Sequence, residues 1–93
     1  MITGVIIPPH VELQIAEIDL WWRGNRPKAP ALFSEELAAA LETLAGAPSA
    51  GRRYRSLEFP HARRYILRAT RFHVYYVVDG TQLVLLAGMT TDP

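Results

Sequence analysis

The sequence predicts an α+β fold in the order β-α-α-β-β-β. A helical hairpin packs on a mainly antiparallel four-stranded sheet. Three observations carry this. Apolar residues recur at helical spacing across 10–45. Apolar and polar residues alternate across 63–78. The dipeptide Asp79-Gly80 then separates the alternating run from a short apolar one.

The bounds are tight. A chain of 93 residues has room for one domain, and a hydrophobic content of 49% excludes a disordered tail. There is no cysteine, so disulfides and thiolate metal sites are excluded. No cofactor is expected. The apolar runs are far shorter than the roughly 20 residues of a membrane span. No basic stretch precedes the apolar N-terminus, so neither a signal peptide nor a membrane partner is expected, and the lack of cysteine permits a reducing cytosol. Net charge is only +1, but it is unevenly placed. Residues 1–50 carry three basic and six acidic side chains, whereas residues 51–93 carry seven arginines against three acids. Such asymmetry either marks a face for an acidic partner or is ordinary surface variation.

The first strand is expected over Ile2–Ile7, β-branched and apolar, closed by Pro8-Pro9, which cannot donate to a ladder. A helix follows from His10 to about Arg23. Val11, Ile15, Ile18 and Trp22 form one stripe. Leu13, Ala16 and Leu20 form a second, about half a turn away. Two apolar faces call for two packing surfaces: the sheet and either the next helix or a partner. Trp21 falls on the Gln14/Glu17 side and should be the more exposed tryptophan. Gly24-Asn25-Arg26-Pro27 is expected to break this helix.

A second helix is expected from Ala29 or Ala31 to Ala45, with Phe33, Leu37, Leu41 and Leu44 buried and Gly46 as its stop. Ser34-Glu35-Glu36 place acids early, where the helix dipole favours them. Residues 47–59 lack a period and read as loop. Within them Arg52, Arg53 and Arg55 surround Tyr54, either as a phosphate grip or as a solvated loop pegged by the ring. Three strands then follow in a meander. Arg63 to Leu67 alternates. Phe72, Val74, Tyr76 and Val78 face one way, and His73, Tyr75 and Val77 the other. Asp79-Gly80 supplies a two-residue turn with positive φ at both positions, and Leu83–Ala87 suits a strand covered on both faces.

These residues resemble the RelE/ParE superfamily of bacterial type II toxins, and within it the ParE branch. The likeness runs from about Val5 to Met89. It includes Pro9 opening a helix with Val11, Ile15, Ile18 and Trp22. It continues through Ala31-Leu32-Phe33, Leu37, Leu44, Pro48 and Gly51-Arg52-Arg53-Tyr54. It ends with Arg64-Tyr65-Ile66-Leu67, Phe72-His73-Val74-Tyr75-Tyr76 and Val78-Asp79-Gly80. The resemblance implies a cytosolic toxin silenced by a cognate ParD-like antitoxin. RelE-like members are ribosome-dependent mRNA endonucleases; ParE-like members act on DNA gyrase.

A metal-free nuclease needs a general acid and base beside a phosphate-binding cation. After the last predicted strand stand only Gly88-Met89-Thr90-Thr91-Asp92-Pro93, without the Tyr or His that the nuclease branch places there. His10 is expected on the first helix, remote from the arginine strands. No catalytic residue is therefore assigned, and action by protein–protein contact is expected. The same short tail also departs from ParE-like toxins, which often carry His and Arg there. The alternatives are a RelE-like endonuclease and a toxin fold that only binds antitoxin. The contact residues expected are Arg52, Arg53, Arg63, Arg64, Arg68, Arg71 and Tyr75 on the sheet side, and Leu13, Leu20 and Trp21 on the first helix. DNA gyrase is a second candidate partner, and sequence-specific nucleic-acid binding is not expected.

Overall fold

The computed structural model describes residues 1–91. In chain order the elements are β1 (Gly4–Ile6), α1 (Pro9–Asn25), α2 (Leu32–Gly46), β2 (Arg52–Arg53), β3 (Arg63–Ile66), β4 (Phe72–Asp79), β5 (Gln82–Leu85) and β6 (Thr90–Thr91). Two helices pack against a mostly antiparallel sheet, as the periodicity predicts. The sheet order is β1-β5-β4-β3-β2, with β6 pairing to β4 beyond β5. β1 alone runs parallel to its neighbour, β5, because the helical hairpin carries the chain back across the sheet. Two strands exceed the four expected. β2 lies inside the stretch that reads as loop, and β6 inside the terminal segment; two residues are too few to display a period. Asp92 and Pro93 lie outside the described residues.

Both helices end differently from expectation. Gly24 and Gly46 are helical, and neither has positive φ. Each helix stops at the residue before a proline: Arg26 at φ −131°, ψ 65° and Ala47 at φ −142°, ψ 74°. The following proline ring clashes with an α conformation there, so proline rather than glycine ends each helix. The Asn25 side chain donates to the Trp21 carbonyl at 2.8 Å and satisfies one of the last orphan acceptors. The β4–β5 turn is also shifted by one residue. Asp79 pairs with Gln82, so Gly80 and Thr81 are central, and of these Gly80 alone has positive φ (61°). Glycine first is the pattern of a type II′ turn rather than type I′.

The core sits between the helices and one sheet face. Val74, Tyr76, Leu83 and Leu85 are fully buried against Val11, Phe33 and Leu44, with Trp22 and Leu37 closing the edges. Each such side chain contributes about 1.5–3 kcal/mol on burial. Phe33 meets Phe72 edge-on at 5.1 Å. Trp22 Nε1 donates to the Ala29 carbonyl at 2.8 Å, tying the interhelical turn to α1.

Candidate partner interface

Strand register assigns the opposite sheet face residue by residue. Arg52 lies across from Arg64, and Arg64 from Tyr75; Val77 lies across from Val84, and Val84 from Ile6. Because alternate residues point to opposite faces, these share the face that the helices leave uncovered. That face has two halves.

The first is a groove of about 710 Å³ floored by Tyr75, Val77, Val84 and Leu86. Tyr54 and Phe59 wall it, and His10, Glu58 and Asp79 also line it. The run Leu83–Ala87 is therefore not covered equally on both faces. Leu83 and Leu85 are in the core, while Val84 and Leu86 are half-buried in this groove. Tyr54 does act as a peg. Its ring packs on Tyr75 with centroids 4.8 Å apart, and the Arg64 guanidinium stands 6.0 Å from its centroid. Tyr75 Oη lies 3.4 Å from Thr90 Oγ1, joining β4 to β6. His10 stands at the α1 N-terminus on the wall shared with Tyr54 and Tyr75. The expectation that it is remote holds for the arginines but not for these rings.

The second half is a shallow hollow of about 460 Å³ in which Arg52, Arg64, Arg68 and Arg71 meet around Ile66. Four of the six arginines expected at the interface are thus brought together. Arg53 falls on the other side of β2, lining a separate hollow with His61. Arg63 faces inward: Nη1 donates to the carbonyls of Ser49 (3.2 Å) and Gly51 (2.7 Å). It holds the loop before β2 and is not presented to a partner through those donors.

The same loop is held from inside by Tyr76. Its hydroxyl donates to the Pro48 carbonyl at 2.6 Å and accepts from Gly51 N–H at 3.0 Å. Burial pushes the Tyr76 phenol above its ordinary 10.0, opposed by the Gly51 hydrogen bond and by the Arg63 charge. On the far side of the β3–β4 turn, Glu36 of α2 accepts from Ala69 N (2.7 Å), Thr70 N (2.9 Å) and Thr70 Oγ1 (2.7 Å). That carboxylate fixes the turn bearing Arg68 and Arg71, and Arg71 takes a left-handed conformation there (φ 70°).

Helix α1 carries the third feature. Val11, Ile15, Ile18 and Trp22 face the core. Leu13 and Leu20, on the opposite pole, are 67% and 74% exposed. The next helix does not cover this second stripe. Trp21 is 50% exposed against 8% for Trp22, as its position on the helix requires. Arg26 stands 5.6 Å from the Trp21 ring and 5.8 Å from the Trp22 ring, a cation–π contact that helical spacing does not disclose. Gln14 completes this flank, donating to the Met89 carbonyl and accepting from Gly88 N–H, so α1 is stitched to the segment before β6. Tyr54, Glu58 and His10 are not among the contact residues that the sequence suggests. Only tertiary structure brings them to one groove; the signal available is an aromatic inside a basic loop.

The model of the ParE toxin of the parDE type II toxin–antitoxin system matches residues 5–87. The chain belongs to this toxin family, and membership of a type II system implies an antitoxin partner. Searches of curated proteins and of solved structures return no match. Among the described residues, no helix is long and apolar enough to cross a membrane.

Proposed function

We propose that the chain is a ParE-like toxin that a ParD-like antitoxin neutralises in the cytoplasm. When free, it inhibits DNA gyrase by protein–protein contact rather than by bond-making chemistry of its own. The observation that carries this reading is α1. The helix is apolar on two opposite sides and the fold covers one of them. Exposed Leu13 and Leu20 beside half-exposed Trp21 supply the large apolar anchors on which partner binding concentrates. The groove floored by Tyr75 and Val77 and the arginines of the same sheet face add apolar and cationic contacts. A supercoiling assay with purified gyrase tests the gyrase part. Supercoiling should fall with added toxin, and unchanged supercoiling at large excess excludes this target.

One observation favours a second reading. His10, Glu58, Tyr54 and Tyr75 line one groove, a set capable of general acid–base work, and the Arg64 cation stands outside that lining, 6.0 Å from the Tyr54 centroid. A RelE-like ribosome-dependent mRNA endonuclease would show cleavage of a defined message in a translation extract, abolished in Arg64→Ala. Cleavage of that kind would replace the gyrase reading.

A further inference from the structure

We propose that the hollow formed by Arg52, Arg64, Arg68 and Arg71 binds the phosphodiester backbone of duplex DNA without reading its sequence. This goes beyond the gyrase reading, because it concerns contact with DNA itself and stands whichever protein is the target. Three features carry it. First, Arg52 and Arg64 are direct cross-strand partners, as are Arg53 and Arg63. Like charges placed opposite one another oppose strand pairing. β2 nevertheless pairs through these two positions, extended by the Tyr54 N–H bond to the Ala62 carbonyl at 2.9 Å, so an anion seated between Arg52 and Arg64 relieves a repulsion built into the fold. Second, the cations are held in place. The Arg64 guanidinium stands 6.0 Å from the Tyr54 centroid, and the Tyr54 ring is itself packed on Tyr75. The turn bearing Arg68 is anchored by the three hydrogen bonds to Glu36. A guanidinium fork matches phosphate oxygens bidentately, and the held Arg64 side chain and the anchored backbone beneath Arg68 reduce the ordering left to do.

The third feature selects the ligand. Tyr65, the ring that lines the hollow, is packed half-buried against the core. Tyr54 is 40% exposed, but it packs on Tyr75 and does not line the hollow. A single strand would therefore gain little from base stacking there. Duplex DNA, with one charge per about 1.7 Å of axis, presents the denser array of phosphates. An acidic peptide would want several apolar anchors beside its carboxylates; within the hollow Ile66, 38% exposed, is the one large aliphatic side chain, and the Tyr75/Val77 groove shares none of its lining with the four arginines.

The test is fluorescence anisotropy of a labelled 20-base-pair duplex with the full chain, titrated between about 50 and 200 mM salt. Counting Arg52, Arg64 and Arg68, log K should fall against log salt with a slope of about −2.7, or about 40-fold over that range. Arg68→Ala and Arg52→Ala should each reduce the slope by about 0.9. Arg55→Ala, an exposed arginine outside the hollow, should leave it unchanged. An unrelated duplex sequence should bind equally well. Arg68 lies in a turn rather than in β2, so Arg68→Ala still tests the hollow if Arg52→Ala unfolds the edge strand. Four results overturn the proposal: no binding at 50 mM salt, an equal loss in Arg55→Ala, tighter binding of single-stranded RNA than of duplex DNA, or displacement by polyglutamate at matched charge.

Discussion

Gly51 sits where a side chain has no room. A Cβ there would lie 2.6 Å from Tyr76 Oη and 3.0 Å from the Arg64 carbonyl oxygen. The loop before β2 must pass this close so that Tyr76 can bond Gly51 and Pro48 while Arg63 bonds Gly51 and Ser49. Gly51→Ala is expected to destabilise by about 1–3 kcal/mol through overpacking, read as a lower urea midpoint with unchanged slope. Tyr76→Phe keeps the ring but leaves the buried Gly51 N–H without its acceptor, an expected cost of about 1–3 kcal/mol. It also removes a pH dependence. The folded phenol titrates above 10.0, so the unfolded chain ionises first. The stability this group contributes is complete below about pH 10 and is lost as pH rises through the raised folded value. Urea midpoints above pH 10 should therefore fall more steeply in the native chain than in Tyr76→Phe; parallel curves would refute the assignment. Strand alternation places Tyr76 with Phe72 and Val74 on the core side. It cannot disclose what the hydroxyl holds, because Pro48 and Gly51 are 28 and 25 residues away.

At the scale of elements, the sequence is most informative where a period runs long. The α1 stripe, the α2 stripe and the β4 alternation each span several repeats, and their residues face the core as the period selects, except that Leu41 is only part-buried while flanking Ala40 is buried, and Val78 at the end of β4 is 44% exposed. It is least informative at element ends and in two-residue strands. Gly24 and Gly46 look like stops, yet a glycine in a last turn is tolerated, and the proline beyond fixes the end. β2 exists through pairing with β3, which no local pattern records. The tryptophan pair tests how far helix position alone assigns roles. Trp22→Ala should cost about 3–5 kcal/mol, since it empties a core site and leaves the Ala29 carbonyl unpaired. Trp21→Ala should change stability by no more than about 0.5–1 kcal/mol by thermal unfolding, while weakening partner binding. Sequence position alone makes Glu36 an acid suited to a helix N-terminus. In the fold it is the tether between α2 and the β3–β4 turn. Glu36→Ala is expected to cost about 1–3 kcal/mol and to speed amide exchange at Ala69 and Thr70 ahead of the rest of the sheet.

On the scale of the molecule, the fold divides its surface. One sheet face is consumed by the core. The other combines an apolar groove with a cluster of four arginines, and the outer pole of α1 remains apolar. The charge asymmetry between chain halves is visible from residue counts, but which arginines share a site is not. Arg63 and Arg53 alternate away from Arg52 and Arg64 once β2 is paired, and Arg68 and Arg71 join them only through the β3–β4 turn. The α1 pole is separable from all of these, because Leu13 and Leu20 lie opposite the residues that hold the core. The double substitution Leu13→Asp/Leu20→Asp should consequently leave the urea midpoint almost unchanged, with about 0.5 kcal/mol per exposed site as the bound. It should also leave duplex binding at the arginine hollow unaltered. If α1 is the antitoxin's anchor, the same variant should loosen the co-expressed antitoxin by at least about 30-fold, the equivalent of losing one hot spot of about 2 kcal/mol. Titration calorimetry on the purified pair measures this directly. Unaltered affinity in a folded variant would move the antitoxin off α1 and onto the sheet groove, where Val77→Asp then becomes the discriminating substitution.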